Sequence, residues 1–374
     1  DFARALALAL ALVLAWLWFL RRTASRTAAW LGAVLVLLGS GARWLLLFLP
    51  GGLAARLDTT INLLGSAAQS GPDFSAVMVG AWQIEGSGPL PFPFAFANGL
   101  HHPLVIALNG SGALPYVGLL LLLLLGGRRL NWARGLLVGL LLAGLALSAE
   151  HIFGLGSAGL GLAVVRSGLA LRKYRLFAPW VMALVFGGLL ALAQGGVITE
   201  LARGLVWGVD PASEASYGFH GFRWDWTPVV LSAHFGRLQL FSPLQLLAAL
   251  AELGPALFLG GWVTLYFVRR PLFNRMVETG LGLGAAVIFG LALFLRYGVE
   301  RDLSRLFGAA LWVWLVSGWP LVWIWASRAR PWGRVLAGGA CGDRPPTAFL
   351  FCRPAGCTAQ PFVLEPARTG CANL

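Results

Sequence analysis

The residues of this chain best equipped for chemistry are concentrated in one polar and aromatic stretch, 206–242, reading VWGVDPASEASYGFHGFRWDWTPVVLSAHFGRLQLFS. Asp210, Glu214, His220, Asp225 and His234 lie there, with Arg223 and Arg237, and Trp224 and Trp226 flank the aspartate. Carboxylates and imidazoles in one stretch can act as general acid and base or ligate a divalent cation. On that chemistry Asp225 and Asp210, with Asp58 from an earlier loop, are the candidate catalytic carboxylates, and His220 and His234 the candidate metal ligands. Arg223 and Arg237 have the forked geometry that holds a lipid phosphate, and they can equally pair with Asp225 and Glu214. The competing interpretation is a membrane-surface loop anchored at headgroup level by Trp207, Trp224 and Trp226. The spacing matches no catalytic motif, so it names no reaction.

The elements that must position these residues are membrane helices. The chain is 58% hydrophobic and 11% charged, too apolar for a soluble globular protein. Its repeated apolar runs of about 20 residues define an all-α, polytopic integral membrane protein. The net charge of +13 is not a nucleic-acid footprint, because the arginines are parcelled out between apolar runs rather than gathered on a soluble surface. Lys173 is the only lysine. With the Ala, Gly, Arg and Pro richness, this points to a GC-rich bacterial source. The absence of an initiator Met, a basic n-region and a cleavage site reads as a fragment whose N-terminal part is missing.

Nine spans are expected, at about 3–20, 28–49, 104–125, 135–149, 152–171, 176–199, 244–268, 277–295 and 306–326. Three arginine or lysine residues punctuate each of five connections: Arg21, Arg22 and Arg26; Arg128, Arg129 and Arg134; Arg172, Lys173 and Arg175; Arg269, Arg270 and Arg275; Arg328, Arg330 and Arg334. The positive-inside rule puts all five in the cytoplasm. That requires 135–171 to cross twice as a hairpin turning at Glu150–His151. The resulting topology has the C-terminus cytoplasmic in the cell membrane. It places Asp58, Asp73, Asp210, Glu214, Asp225 and all five histidines outside, and leaves the cytoplasmic connections without acid or histidine. The apolar pieces 74–82 and 90–100 of the first external loop are too short to span and read as interfacial or re-entrant. From about 335 to 374 the composition changes to a Pro-, Arg- and Gly-rich tail holding all four cysteines without a C-x-x-C pair, expected to be disordered and cytoplasmic.

Two further features belong to the helices. Glu252, in AALAELGPAL, comes out ~12 Å deep by helix rise, and Arg43 about 9 Å deep from the same face. The two form a plausible buried ion pair, either a functional carboxylate, the default for an intramembrane acid, or a structural pair fixing helix register. Pro255 should kink the Glu252 helix. Arg166, near an inner helix end, can snorkel and needs no partner. The run Gly154-Leu155-Gly156-Ser157-Ala158-Gly159 matches a dinucleotide fingerprint, but it lies inside a span, where its small residues serve close helix contact. The pairs Gly135–Gly139 and Gly280–Gly284 have the same packing sense.

The architecture over 1–334 resembles the GT-C type of polytopic glycosyltransferase: many spans, acidic and aromatic outer loops, apolar re-entrant pieces and no nucleotide-sugar domain. The resemblance implies a polyprenyl-phosphate-linked sugar donor used on the outer face. An outer carboxylate (Asp58, Asp73 or Asp225) would deprotonate or orient the acceptor hydroxyl. A divalent cation, or Arg223 and Arg237, would stabilise the departing phosphate. Two other functions compete: a transporter with Glu252 in its pathway, and a non-catalytic membrane scaffold or assembly subunit.

Overall fold

The structure, a computed structural model, describes residues 2–38, 41–83, 89–100, 112–126, 130–172, 174–207, 223–269, 275–296 and 300–328. Its helices, in order, are α1 (Phe2–Thr23), α2 (Arg26–Leu38), α3 (Gly51–Asp58), α4 (Ser66–Ser70), α5 (Phe74–Val79), α6 (Leu114–Leu125), α7 (Trp132–Ser148), α8 (Glu150–Leu171), α9 (Ala178–Ala193), α10 (Val197–Trp207), α11 (Pro243–Leu253), α12 (Pro255–Arg269), α13 (Met276–Phe294) and α14 (Glu300–Arg328). Three two-stranded antiparallel sheets interrupt them: β1 (Ala81–Gln83) with β2 (Pro89–Pro93), β3 (Arg223–Trp224) with β6 (Leu295–Arg296), and β4 (Val229–Ser232) with β5 (Gly236–Gln239).

Five of the described helices are long and apolar enough to cross a membrane: α1, α8, α9 taken with the turn before it (Arg175–Ala193), α13, and α14 over Leu303–Ser327. A sixth span results if α11 and α12 count as one. Their outward faces carry the reverse of a soluble surface, with Leu6, Leu10 and Leu17 of α1 and Val181, Val185 and Leu189 of α9 all exposed. These are the helices of a membrane protein. The nine spans expected are not reproduced as nine long helices, and the reason is local. The second expected span divides into α2 and a 3₁₀ turn, Arg43–Phe48. The sixth divides at Gly195 and Gly196, whose φ angles of +84° and +87° only glycine adopts freely. The seventh breaks at Gly254 (φ +60°), where α11 and α12 meet at 74°. Pro255 does more than kink this helix: it opens a new one. Segments α2, α6 and α7 are apolar but shorter than a span.

At 135–171 the chain does form two helices, divided at Ala149, where the backbone is extended (φ −165°, ψ 99°). A Cβ at Gly156 would stand 3.7 Å from the Leu142 side chain. The two residues are equally far from Ala149, as in a hairpin folded on itself.

Glycines set how closely these helices approach. A Cβ on Gly159 of α8 would run into the carbonyl of Gly280 and lie 2.9 Å from Gly284 Cα on α13. On α7, a Cβ on Gly139 would lie 3.0 Å from the Ala183 carbonyl of α9. The fingerprint-like run is therefore a helix contact. Arg166 corrects its own expectation. It does not merely snorkel: Nη1 donates to Phe267 O at 2.6 Å and Nη2 to Val268 O, satisfying carbonyls that the end of α12 leaves open.

The pieces 74–82 and 90–100 fold into a small unit, α5 followed by the β1–β2 hairpin. Phe74, Met78, Trp82 and Phe94 are buried in it, and Phe74 packs on Phe235 at 5.9 Å between ring centroids. The tail 335–374 and the residues Asp210, Glu214, His220, His101 and His102 lie outside the described residues.

The α8–α13 contact generates a direct prediction. Gly159→Leu should lower thermal stability in detergent by at least about 1–3 kcal/mol, the usual cost of overpacking. Gly161→Leu, on the same helix with open space before it, should be near neutral. Equal melting temperatures for the two variants would mean that the helices do not meet as described.

Candidate functional site

The most polar interior feature is assembled from four separate stretches of chain. The 3₁₀ turn contributes Arg43, the α11 terminus Glu252, the segment after β2 Asn98 and Gly99, and the β4–β5 hairpin His234. Arg43 Nε donates to Glu252 Oε1 at 2.9 Å and Nη2 donates to the same oxygen. Glu252 Oε2 accepts the Gly99 N–H at 2.8 Å. Both carboxylate oxygens are thus satisfied. Arg43 is 1% exposed and Glu252 0%, so the pair is wholly removed from solvent.

Backbone irregularity brings these groups together. Because α11 stops at Gly254, the Ala251 and Glu252 carbonyls lack helical partners. Ala42 N–H donates to the first at 2.7 Å, and Asn98 Nδ2 to the second at 3.2 Å. Gly41 fits there because any Cβ would strike those carbonyls. The β4–β5 hairpin closes through a three-residue turn, Ala233–Phe235, followed by Gly236 in the left-handed region (φ +66°), the usual construction for this loop length. Ser232 Oγ accepts the His234 and Phe235 N–H groups, each at 3.2 Å. That turn presents the imidazole inward.

His234 is buried, and its Nδ1 stands 2.9 Å from Arg43 Nη2. An arginine nitrogen only donates, so Nδ1 must be the acceptor and the neutral ring carries its hydrogen on Nε2. The guanidinium lies over two rings, 4.5 Å from the Phe94 centroid and 4.6 Å from Phe235. Cation–π attraction of about 2 kcal/mol is expected at a desolvated site. It faces a group whose remaining nitrogen, Nη1, is buried without a hydrogen-bond partner. Chemically the cluster is a neutralised ion pair with an imidazole attached.

The other sequence-derived candidates are placed apart from it. Asp58 Oδ1 accepts the Phe74 N–H at 2.7 Å, and Asp73 Oδ1 accepts the Ala76 N–H at 2.9 Å, so both carboxylates cap the start of α5. Asp225 is half-buried beside the β3–β6 ladder, its side chain 44% exposed. Its Oδ1 accepts the Thr227 N–H at 2.9 Å, and Oδ2 pairs with Arg296 at 3.2 Å. The hydrogen bond from the Thr227 backbone, then the Arg296 charge, hold the carboxyl below its ordinary value. Asp225 is therefore ionised throughout the neutral range. The partner suggested by sequence was Arg223 or Arg237; the partner found is Arg296. Arg223 and Arg237 stand on different sheets, β3 and β5, both exposed. Among the described residues no three His, Cys, Asp or Glu side chains gather as a metal site. His234 directs Nδ1 to the Arg43 guanidinium; His220 lies outside the described residues.

Sequence reasoning did not assign Arg296 or Glu278. Arg296 lies close before the acids Glu300 and Asp302 and away from the five arginine clusters, and that misplacement was its signal. Glu278, in the first turn of α13, pairs with Arg22 of α1 at 3.2 Å, so the basic end of the bundle does hold an acid. Comparison with models of known protein families, with curated proteins and with solved structures finds no match.

Removing one member of the buried pair strands the other. Glu252→Leu or Arg43→Leu alone should cost about 3–5 kcal/mol, whereas the double replacement should recover much of that loss. Thermal unfolding of the three variants checks this. Additive losses would show that the two charges are not coupled.

Proposed function

We propose that this chain is a multi-pass membrane enzyme that transfers a sugar from a polyprenyl-phosphate donor at its loop-built end, which faces the extracytoplasmic side. One observation carries the reading: the described stretches 51–83, 89–100 and 223–245 fold together over one end of the bundle. Leu64 N–H donates to His234 O at 2.8 Å, Ala233 N–H to Gly99 O at 2.7 Å, and Gln245 Nε2 to Thr60 O at 2.6 Å. This common surface carries Asp225, a half-buried carboxylate that stays ionised. Transfer from a lipid phosphate needs an acceptor hydroxyl oriented or deprotonated and negative charge stabilised on the departing phosphate. Asp225 suits the orienting role, or a divalent cation, better than that of a proton store. The sidedness follows from the arginine bias, with nine crossings in all.

Transport is the second reading, favoured by the 74° break two residues after Glu252, since transporter sites are built at interrupted helices. Against it, both Glu252 oxygens are already bonded in the dry interior. An assay that keeps the turn intact separates the two. Asp225→Asn retains an oxygen for the Thr227 N–H and removes the charge. In the full-length protein in nanodiscs, it should reduce release of undecaprenyl phosphate from undecaprenyl-phosphate glucose by on the order of 10²-fold. Wild-type turnover unaffected by Asp225→Asn refutes the assignment of Asp225. No turnover, combined with proton-linked uptake abolished by Glu252→Gln, favours the transporter.

A further inference from the structure

The rim formed where α13 ends carries a second feature. Its last residue, Phe294, stacks on Trp224 with centroids 5.5 Å apart and planes at 20°. Trp226 closes against Trp224 at 5.5 Å and against Phe294 at 6.3 Å. Yet Trp226 remains 78% exposed and Trp224 47%. Rings so exposed, braced at the end of a spanning helix, stand at headgroup depth.

The same two-residue ladder sets Arg223 directly across from Arg296. Like charges opposed across an antiparallel pair repel unless an anion lies between them. Arg296 is 8% exposed. Its Nη2 reaches Thr227 O at 2.6 Å and Asp225 Oδ2 at 3.2 Å, its Nη1 reaches Leu295 O at 3.3 Å, and its Nε is buried without a hydrogen-bond partner. Within this ladder the one carboxylate, Asp225, pairs with Arg296 and not with Arg223, leaving a positive charge beside an exposed aromatic wall.

We infer that this rim binds the phosphate headgroup of a bilayer glycerophospholipid. Arg223 meets the phosphate in the forked geometry arginine favours, and Trp226 covers the glycerol and upper acyl region. The aromatic wall selects the source: inorganic phosphate has nothing to place against Trp226, whereas a lipid fills both halves of the site. The site stands independently of the transfer reaction, because its test reads binding and not turnover.

Native mass spectrometry of the full-length protein in detergent supplies that test, with phosphatidylglycerol, diacylglycerol of the same chains, and inorganic phosphate as probes. The wild type should retain one phosphatidylglycerol and no diacylglycerol. Arg223→Gln and Trp226→Ala should each weaken retention about tenfold, Arg223→Lys less, and Arg203→Gln on α10 not at all. Unfolding temperature reports whether each variant is intact, and Arg223→Lys serves if Arg223→Gln does not fold. Equal retention by Arg223→Gln and wild type, equal retention of diacylglycerol, or displacement by inorganic phosphate at equal affinity overturns the inference.

Discussion

A charge cannot be left alone in a dry interior, and Arg43 is fully buried. Everything around it follows from that constraint. Its partner Glu252 sits at the end of a helix that must stop for the carboxylate to turn toward it. Gly99 must be glycine because a Cβ there would collide with Ser232 Oγ and lie 3.1 Å from Arg43 Nη2. The hairpin turn must hold His234 with an unprotonated Nδ1 facing the guanidinium. Three long-range segments are thereby pinned to a single side chain. The pair need not be a source of net stability, since ion pairs of this kind can be matched by well-packed apolar residues. What it does supply is a fixed meeting point, since Glu252 and His234 both bond the Arg43 guanidinium.

That accounting also explains how non-helical backbone survives inside a helical bundle. Buried peptide groups without partners cost several kcal/mol in an apolar medium. Here the groups released by the break at Gly254 are taken up by Ala42 and Asn98. The β4–β5 hairpin, buried along all of β4, satisfies its own ladder. Its turn then passes N–H and C=O groups to Gly99 and Leu64. Breaks, hairpin and loop are mutually dependent, so the loop-built end is one folded unit rather than a set of connections. At the opposite end Arg22–Glu278 and the Arg166 contacts with α12 perform the simpler task of closing helix ends.

Particular residues show what could be read in the chain alone. Apolar run length gave the helical membrane class. Helix rise put Arg43 and Glu252 at one depth, and the structure brings them into contact. The turn near Glu150 was legible because the arginine bias required 135–171 to cross twice. Glycine- and proline-dependent breaks were less so: a window count passes through Gly195–Gly196 and Gly254–Pro255, and Pro255 announced a kink rather than a new helix. Outside the helices, partners distant in sequence were not legible. Asp225 to Arg296 spans a helix-rich interval, and nothing in either neighbourhood announces the other. Asp58 and Asp73 resembled candidate catalytic acids, but a carboxylate that caps a short helix has the same local sequence as one that does chemistry.

The loop-built end is a single unit fastened by the buried charge. Amide hydrogen exchange measures this most directly, at three N–H groups: Gly99, bonded to Glu252; Leu64, bonded to His234; and Ala233, bonded to Gly99. If the account is right, the three amides exchange slowly, with a common opening free energy, and lose protection together when Glu252 is replaced. Fast and mutually independent exchange at these amides, unchanged by that replacement, would contradict it.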